Sequence, residues 1–346
     1  MFVQELIKLS VQRTGRQTLV FQHRPVLLTT AAVGGKKELE GPLHPWFDHL
    51  NPDTKFGQPS WEKAETQMQS LAVQTALEKA HLQPKDIDIL FGGDLLNQCI
   101  GTSFCLRDLS IPFLGLYGAC STMAESLLLG SMAISGGFAQ RVIAMTSSHF
   151  ASAERQYRFP LVYGGQRPPT AQWTVTGSGC AVLGREGSGP RITAATIGRV
   201  VDWGIKDANN MGAAMAPAAY DTLTQHFADL NIGPTAYDLI VTGDLGQLGW
   251  QIVGDLFAKD GISMDGVYQD CGMMIYDQKA QDVHAGGSGC GCSAVVLCGY
   301  LYRQMLERRY RKILFCGTGA LLSPTSTQQK ESTPGICHAV AIELEG

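Results

Sequence analysis

Charge is scarce in this chain of 346 residues: Lys, Arg, Asp and Glu make up 17% of it, and 27 basic against 31 acidic residues leave a formal net charge of −4. With no basic surplus, bulk electrostatics gives no case for nucleic acid or an anionic membrane as partner. Paired CxxC motifs are also missing. The closest cysteine group, Cys290, Cys292 and Cys298, has neither that spacing nor a matched second pair, which speaks against zinc and leaves no metal site to name. No N-terminal stretch has the make-up of a signal peptide, so the ten cysteines, dispersed through apolar segments, are expected to be reduced and intracellular. Residues 283–302 carry no formal charge over a length that would reach across a bilayer, yet 284–291 is mostly glycine, serine and cysteine. A glycine-rich turn entering a buried helix fits better, and membrane association would need a partner.

What the chain has instead is 45% hydrophobic residues and forty glycines, the composition of a compact fold with many tight turns. It also repeats itself. Residues 77–98 read LEKAHLQPKDIDILFGGDLLNQ and 227–248 read FADLNIGPTAYDLIVTGDLGQL, placing Asp94 and Asp244 in equivalent positions 150 residues apart. A second pair follows in the same order: GACSTMAESLLLGSMAISGGFAQRVIAMTSS from Gly118 and GCGCSAVVLCGYLYRQMLERRYRKILFCGTG from Gly289. Each passes from a small-residue turn through a helical pattern to a continuous apolar strand. Two such halves imply an α/β protein whose parallel or mixed sheets are covered by helices on both faces. The boundary is placed at REGSGPR, 185–191, giving halves 1–186 and 187–346. Ahead of the first repeat, Ser60 is suited to cap a helix with Ala64, Met68, Leu71, Ala72 and Thr75 on one stripe and Glu62 in its first turn.

Residues 111–117 read as a strand, and Gly118–Thr122, GACST, carry it into a helix starting near Met123. A cysteine in such a turn stands near unpaired amides and the positive end of a helix dipole, which favour a thiolate or a bound carboxylate. Cys120 is therefore either a functional group or a buried cysteine that packs. The GACS turn, TVTGSGCAVL at 174–183, AGGSGCGCSA at 285–294 and CGTG at 316–319 resemble, in order, the landmarks of the thiolase superfamily, which includes the ketoacyl synthases. The resemblance implies a thiolase-like fold of two pseudo-duplicated halves in a layered arrangement.

Condensation through a cysteine also needs a proton-transfer group and oxyanion donors. Where the resemblance places a histidine and an asparagine, this chain has Val241-Thr242-Gly243-Asp244 and Gly286-Gly287-Ser288-Gly289. His284 and His338 are the candidates for a replacement histidine, and Cys316 for a second thiolase-like cysteine; a structural role is the alternative for each. The expectation is a catalytically inactive relative, with a cysteine-dependent acyl-transfer or ketoacyl synthase-like enzyme as the alternative.

Longer stretches resemble the stage V sporulation protein AD family, a thiolase-like branch. They are GDLLNQ at 93–98, GACST, TSSH at 146–149, AERQYRFP at 153–160, YGGQ at 163–166, TVTGSG at 174–179, MGAAMAPAA at 211–219, DCGMMIY at 270–276, AGGSGC at 285–290 and GTGALLSPTS at 317–326. That resemblance implies a protein that binds dipicolinic acid, alone or with calcium, and supports its uptake into the developing spore. It implies integral membrane proteins of the same transport system as partners, a peripheral location at the inner forespore membrane, and a homodimer paired through 111–117. No cofactor is implied.

Dipicolinate is flat, aromatic and doubly negative, so its site calls for an apolar slot with converging donors and a compensating cation. On that chemistry the candidate ligand-binding residues are Cys120, Ser121, Thr122, Ser147, Ser148, His149 and Arg155, with Arg158 as a further carboxylate partner. The segment 146–149 is expected to follow a strand ending at Met145. Asp94 and Asp244 are assigned to structural turns rather than to calcium. The basic run Arg303, Arg308, Arg309, Arg311 and Lys312 is assigned to a solvated helix face.

Overall fold

A computed structural model describes residues 11–157 and 167–345. The sequence repeat becomes two copies of one α/β unit. The first contributes strands β1 (Val26–Gly34), β2 (Ile89–Asp94), β3 (Phe113–Gly115), β4 (Arg141–Ser148) and β5 (Gly177–Gly184). The second contributes β6 (Arg191–Thr196), β7 (Leu239–Thr242), β8 (Tyr268–Asp270), β9 (Lys312–Ala320) and β10 (Gly335–Glu343). Across the sheet the order is β8-β7-β9-β10-β6-β1-β5-β4-β2-β3, so from the centre outward both halves run in the same sequence. In each half the outer three strands are parallel, as β3–β2–β4 and β8–β7–β9, and the inner ones antiparallel. The halves meet at one register pair, Arg191 with Val26, and through the strand Thr18–Phe21, which pairs with β6. The 186/187 boundary falls in the turn from β5 to β6.

The helices that matter for the site are α1 (Trp61–Lys79), α2 (Ile100–Arg107), α3 (Thr122–Ser135), α4 (Phe150–Tyr157), α5 (Met211–Leu230), α6 (Gly246–Lys259) and α7 (Cys290–Val295). The last continues through a π-turn, Val296–Leu301. α1 packs on β1 and β5, α5 on β9 and β10, and α3 and α7 lie between the two half-sheets. The result is the mixed sheet covered by helices that the repeat implied, in the layered arrangement that the thiolase resemblance implied.

Local chemistry explains these placements. Ser60 caps α1, its Oγ accepting the Lys63 amide at 3.3 Å, with Glu62 in the first turn; such a cap contributes about 1 kcal/mol. Ala64, Met68 and Ala72 are buried against Val33, Leu90, Ile143 and Cys180, while Leu71 stays half-buried at the edge of that cluster. α3 is buried on nearly every side, as a helix between two sheets must be. β4 runs three residues past the expected end at Met145, because its neighbour offers only small partners: Thr146, Ser147 and Ser148 pair with Gly179, Ser178 and Gly177. β3 is shorter than the expected 111–117 strand, and its Leu114 and nearby Tyr117 are 54% and 50% exposed at the sheet edge.

Candidate functional site

Cys120 lies in a 3₁₀ turn, Ala119–Ser121, that feeds α3. The turn bends sharply enough to put Ala119 at φ 51°, a left-handed conformation that a residue other than glycine seldom adopts. From the other half comes Gly289 at φ 95°, where a Cβ would stand 2.7 Å from Ser148 Oγ; glycine is needed there for both reasons. Between the two turns is a cavity of about 50 Å³, lined by Leu95, Cys120 and Tyr157 from the first half and Met211, Ser288 and Leu322 from the second. Glu154 and Thr174 also line it, and no Lys, Arg or His does among the described residues.

Asp244 lies behind the lining residues Ser288 and Gly289. Its carboxylate accepts hydrogen bonds from Thr318 Oγ1 at 2.8 Å, the Gly289 amide at 2.9 Å and Ser288 Oγ at 3.1 Å, and the Cys120 thiol is close enough to feel its charge. Complete burial still raises its pKa against the pull of those donors. Behind it, Asp270 accepts Thr242 Oγ1 at 2.8 Å and the amides of Leu245 and Gly246 at 2.9 and 3.0 Å; burial, with the charge of Asp244 adding to it, pushes this carboxyl up to about 7. The Cys120 thiol is pushed well above its ordinary range, first by burial and then by the Asp244 charge. Asp244, assigned to a structural turn, does tie the Ser288–Gly289 turn to Thr318, and it also stands close to Cys120, at the position where the thiolase resemblance implied a histidine.

The duplicated aspartate has a parallel setting. Asp94 accepts the amides of Leu96 and Thr102 and the Thr102 hydroxyl at 2.6–2.9 Å. Glu65, close enough to feel its charge, accepts Ser147 Oγ at 2.8 Å and Ser152 Oγ at 2.9 Å. Burial first, and Asp94 second, push Glu65 up to about 8. Among the described residues no group of three or more His, Cys, Asp or Glu is arranged to hold a metal ion.

Of the seven candidate ligand residues, Cys120 alone lines the cavity. Ser121 and Thr122 lie in the same turn but bond inward, to Gly118 O and Ala119 O, both at 2.7 Å. Ser147 bridges Gln69 and Glu65, and Ser148 donates to Val175 O at 2.7 Å; the extension of β4 holds both inside the sheet. His149, kept neutral by burial, donates through Nε2 to Thr54 O at 2.7 Å. Arg155 pairs with Glu62 and stands over the Trp61 ring. These last two face the far side of α4, so the expectation of one cluster around Cys120 is corrected for Ser147, Ser148, His149 and Arg155. Arg158 and the YGGQ stretch lie outside the described residues. His284 pairs with Asp282, His338 accepts the Gly198 amide through Nδ1, and Cys316 is buried in the second-half core; none of the three lines the cavity.

What the sequence reading missed is the other wall: Ser288, Gly289, Met211, Glu154 and Tyr157. The duplication carried a usable signal for Asp244, since it marks the end of the strand after which a base is expected.

The chain matches the family described as "Stage V sporulation protein AD" over residues 15–343. It is 48% identical over 333 residues to the stage V sporulation protein AD of Bacillus subtilis (strain 168), covering 96% of this chain and 98% of that protein. Among solved structures it is similar to 3-oxoacyl-[acyl-carrier-protein] synthase III from Aquifex aeolicus VF5, with a TM-score of 0.56 and 14% identity over 92% of this chain and 99% of that one. A cysteine-to-serine variant of Xanthomonas campestris OleA, solved with bound lauric acid and lauroyl-CoA, gives a TM-score of 0.58 at 12% identity over 92% and 99%. At those identities the two structures establish the thiolase-like fold.

Proposed function

The chain belongs to the stage V sporulation protein AD family, and from that premise we propose that it is a non-catalytic thiolase-fold protein that binds dipicolinic acid, alone or as its calcium chelate, and supports its uptake into the developing spore. The observation that carries this reading is the Cys120–Asp244 pair. A nucleophilic cysteine needs a thiolate and a group to accept its proton. Here burial, and then the charge of a buried carboxylate beside it, disfavours the thiolate. The position that would shuttle protons is thus spent on holding the thiol in its neutral form.

Leu95, Tyr157, Met211 and Leu322 give the cavity apolar walls, and Ser288, Thr174 and the Gly289 turn give it a few polar points, a combination suited to a flat aromatic ring. Its charge balance favours the calcium chelate, whose carboxylates are already neutralised, over the free dianion. At about 50 Å³ it is smaller than the roughly 300–1,000 Å³ of ordinary ligand pockets, so a ligand must displace rim side chains. No helix of the described residues is long and apolar enough to cross a membrane; the proposed role at the inner forespore membrane runs through integral membrane partners. A homodimer through the β3 edge is part of the same proposal, supported by exposed Leu114 and Tyr117 beside Ile100 and Phe104 of α2; sedimentation showing only monomer at micromolar concentration would remove that part.

The deciding experiment is calorimetric titration of the protein with dipicolinate, with and without calcium, beside a pyridine lacking carboxylates. Saturable binding of the chelate that is lost in Cys120→Trp, with native unfolding retained, is expected. Absence of saturable binding defeats the proposal, and sustained Cys120-dependent product formation from acyl-CoA would replace it with the acyl-transfer reading.

A further inference from the structure

On the opposite side of α4 from Cys120 is a second depression, of about 390 Å³, lined by Lys36, Lys37, Glu40, Trp61, Phe150 and Trp173. Neighbouring residues turn to different sides: Thr174 and Glu154 line the Cys120 cavity, Trp173 and Phe150 the groove. The Phe150 and Trp173 rings stack at 3.9 Å and 6°. Two cations converge on the same indole, Lys37 Nζ at 4.1 Å and the Arg167 guanidinium at 4.8 Å from its centroid. On the facing wall, Arg155 stands 5.6 Å and Lys55 6.0 Å from the Trp61 centroid.

Two like charges resting on one ring repel each other unless an anion joins them. Asp282 supplies part of that: Arg167 Nη2 donates to its backbone oxygen at 2.8 Å and lies 3.2 Å from its carboxylate. Arg167 Nη1, however, is buried with no hydrogen-bond partner. A buried guanidinium N–H without an acceptor is costly to leave unmet, and this guanidinium borders the groove, standing on the ring of Trp173, one of its lining residues. Burial holds the Lys37 ammonium below its ordinary range and Arg167 acts in the same direction, against the pull of Asp282. Of the acidic neighbours, Glu38 and Glu40 both line the groove, and the Glu38 carboxylate is already engaged by the Tyr276 hydroxyl and the amides of Gly35 and Thr176.

We propose that this groove is a second ligand site, for a flat aromatic dicarboxylate in its free, metal-free form, with the carboxylates received by Lys37 and Arg167 and the ring by the aromatic wall. It rests on the reading of the chain as a dipicolinate-binding protein and adds a division of labour. The cationic groove takes the dianion, and the Cys120 cavity, which no Lys, Arg or His lines among the described residues, takes the neutral chelate. The groove's size falls in the ordinary range for small-ligand sites, and a guanidinium can engage a carboxylate through two parallel hydrogen bonds.

The test is calorimetric titration with calcium-free dipicolinate of the full chain and of Lys37→Glu, Lys37→Arg, Arg167→Ala and Cys120→Trp, each checked for native thermal unfolding. Affinity should fall at least about tenfold in Lys37→Glu and Arg167→Ala, the scale of one charge-assisted contact, recover in Lys37→Arg, and persist in Cys120→Trp. Glutarate, an aliphatic dicarboxylate, should bind at least about tenfold more weakly; equal binding overturns the aromatic assignment. Wild-type affinity in both groove variants, with binding abolished by Cys120→Trp, overturns this inference and leaves the proposed function standing. Failure of the wild type to bind either dipicolinate or its calcium chelate overturns both.

Discussion

The Cys120 cavity and the Lys37–Trp173 groove are separated by one short helix, and they treat charge in opposite ways. Beside the cavity, carboxylates are buried and held by hydroxyl and amide donors, so the charge is satisfied internally. At the groove, cations stand on aromatic faces, and one buried guanidinium nitrogen has no partner. A buried group that has all its partners holds structure; one that lacks a partner can hold a ligand. Substitutions on the two sides should therefore have effects of different kind and size.

The largest effect is expected behind the cavity. Asp244→Leu leaves Thr318, Ser288 and the Gly289 amide without their acceptor, and should destabilise the fold by about 3–5 kcal/mol in denaturant unfolding. Asp244→Asn, which keeps an acceptor oxygen, should lose less. A change below about 0.5 kcal/mol in the leucine variant would erase the contrast drawn above.

The next effect is a pH dependence that belongs to the buried side. Glu65 titrates near 8 in the folded protein and near its ordinary value when unfolded. Above about 4.5 the unfolded chain gives up that proton while the native one keeps it, so the native state binds more protons and stability falls as pH rises toward 8. His226, buried between Thr196 and Tyr237 and lowered to about 4, works the other way: its contribution is complete above about 6.5 and lost as pH falls toward 4. Thermal melts at about pH 5, 6.5 and 8 should show Glu65→Gln losing less stability toward alkaline pH than the wild type, by on the order of a few kcal/mol. Parallel curves for the two proteins would contradict it, and groove variants should leave the wild-type slope unchanged.

A smaller signal should come from Cys120 chemistry. With its thiol held well above the ordinary range, alkylation by iodoacetamide, read peptide by peptide, should climb with pH through 9 without a plateau, less than about 1% of the group being thiolate near pH 7. A plateau below pH 8 would mark an activated thiolate and reopen the acyl-transfer reading. The smallest stability change is expected at the groove, where Lys37→Ala removes a partly exposed cation–π contact of about 0.5–1 kcal/mol; a loss several times larger would make Lys37 a structural residue.

The fold was readable because the repeat preserves positions that bend the chain: Gly-Asp-Leu after β2 and after β7, and small-residue turns before α3 and α7. Hydrophobic patterning exposed the strands but misjudged the end of β4. Thr146, Ser147 and Ser148 are polar by type, and their burial depends on Gly177 and Gly179 thirty residues away, which no local pattern conveys. The site was legible at Cys120 and at the missing histidine. It was not legible for His149 and Arg155, which follow directly on β4 but face the side of α4 away from Cys120. Met211 and Ser288 were missed for the converse reason: they reach the cavity only through the pairing of the two halves.

All ten cysteines are reduced and buried, and burial raises the pKa of nine of them. Attack by peroxide begins with a thiolate that the oxidant can reach, and it proceeds through sulfenic acid to irreversible sulfinic and sulfonic forms. A chain that hides its sulfur and keeps it protonated withholds both requirements at once. The same burial that raises the Cys120 thiol should thus slow peroxide oxidation of these nine cysteines, so that cysteine count is a poor guide to reactivity.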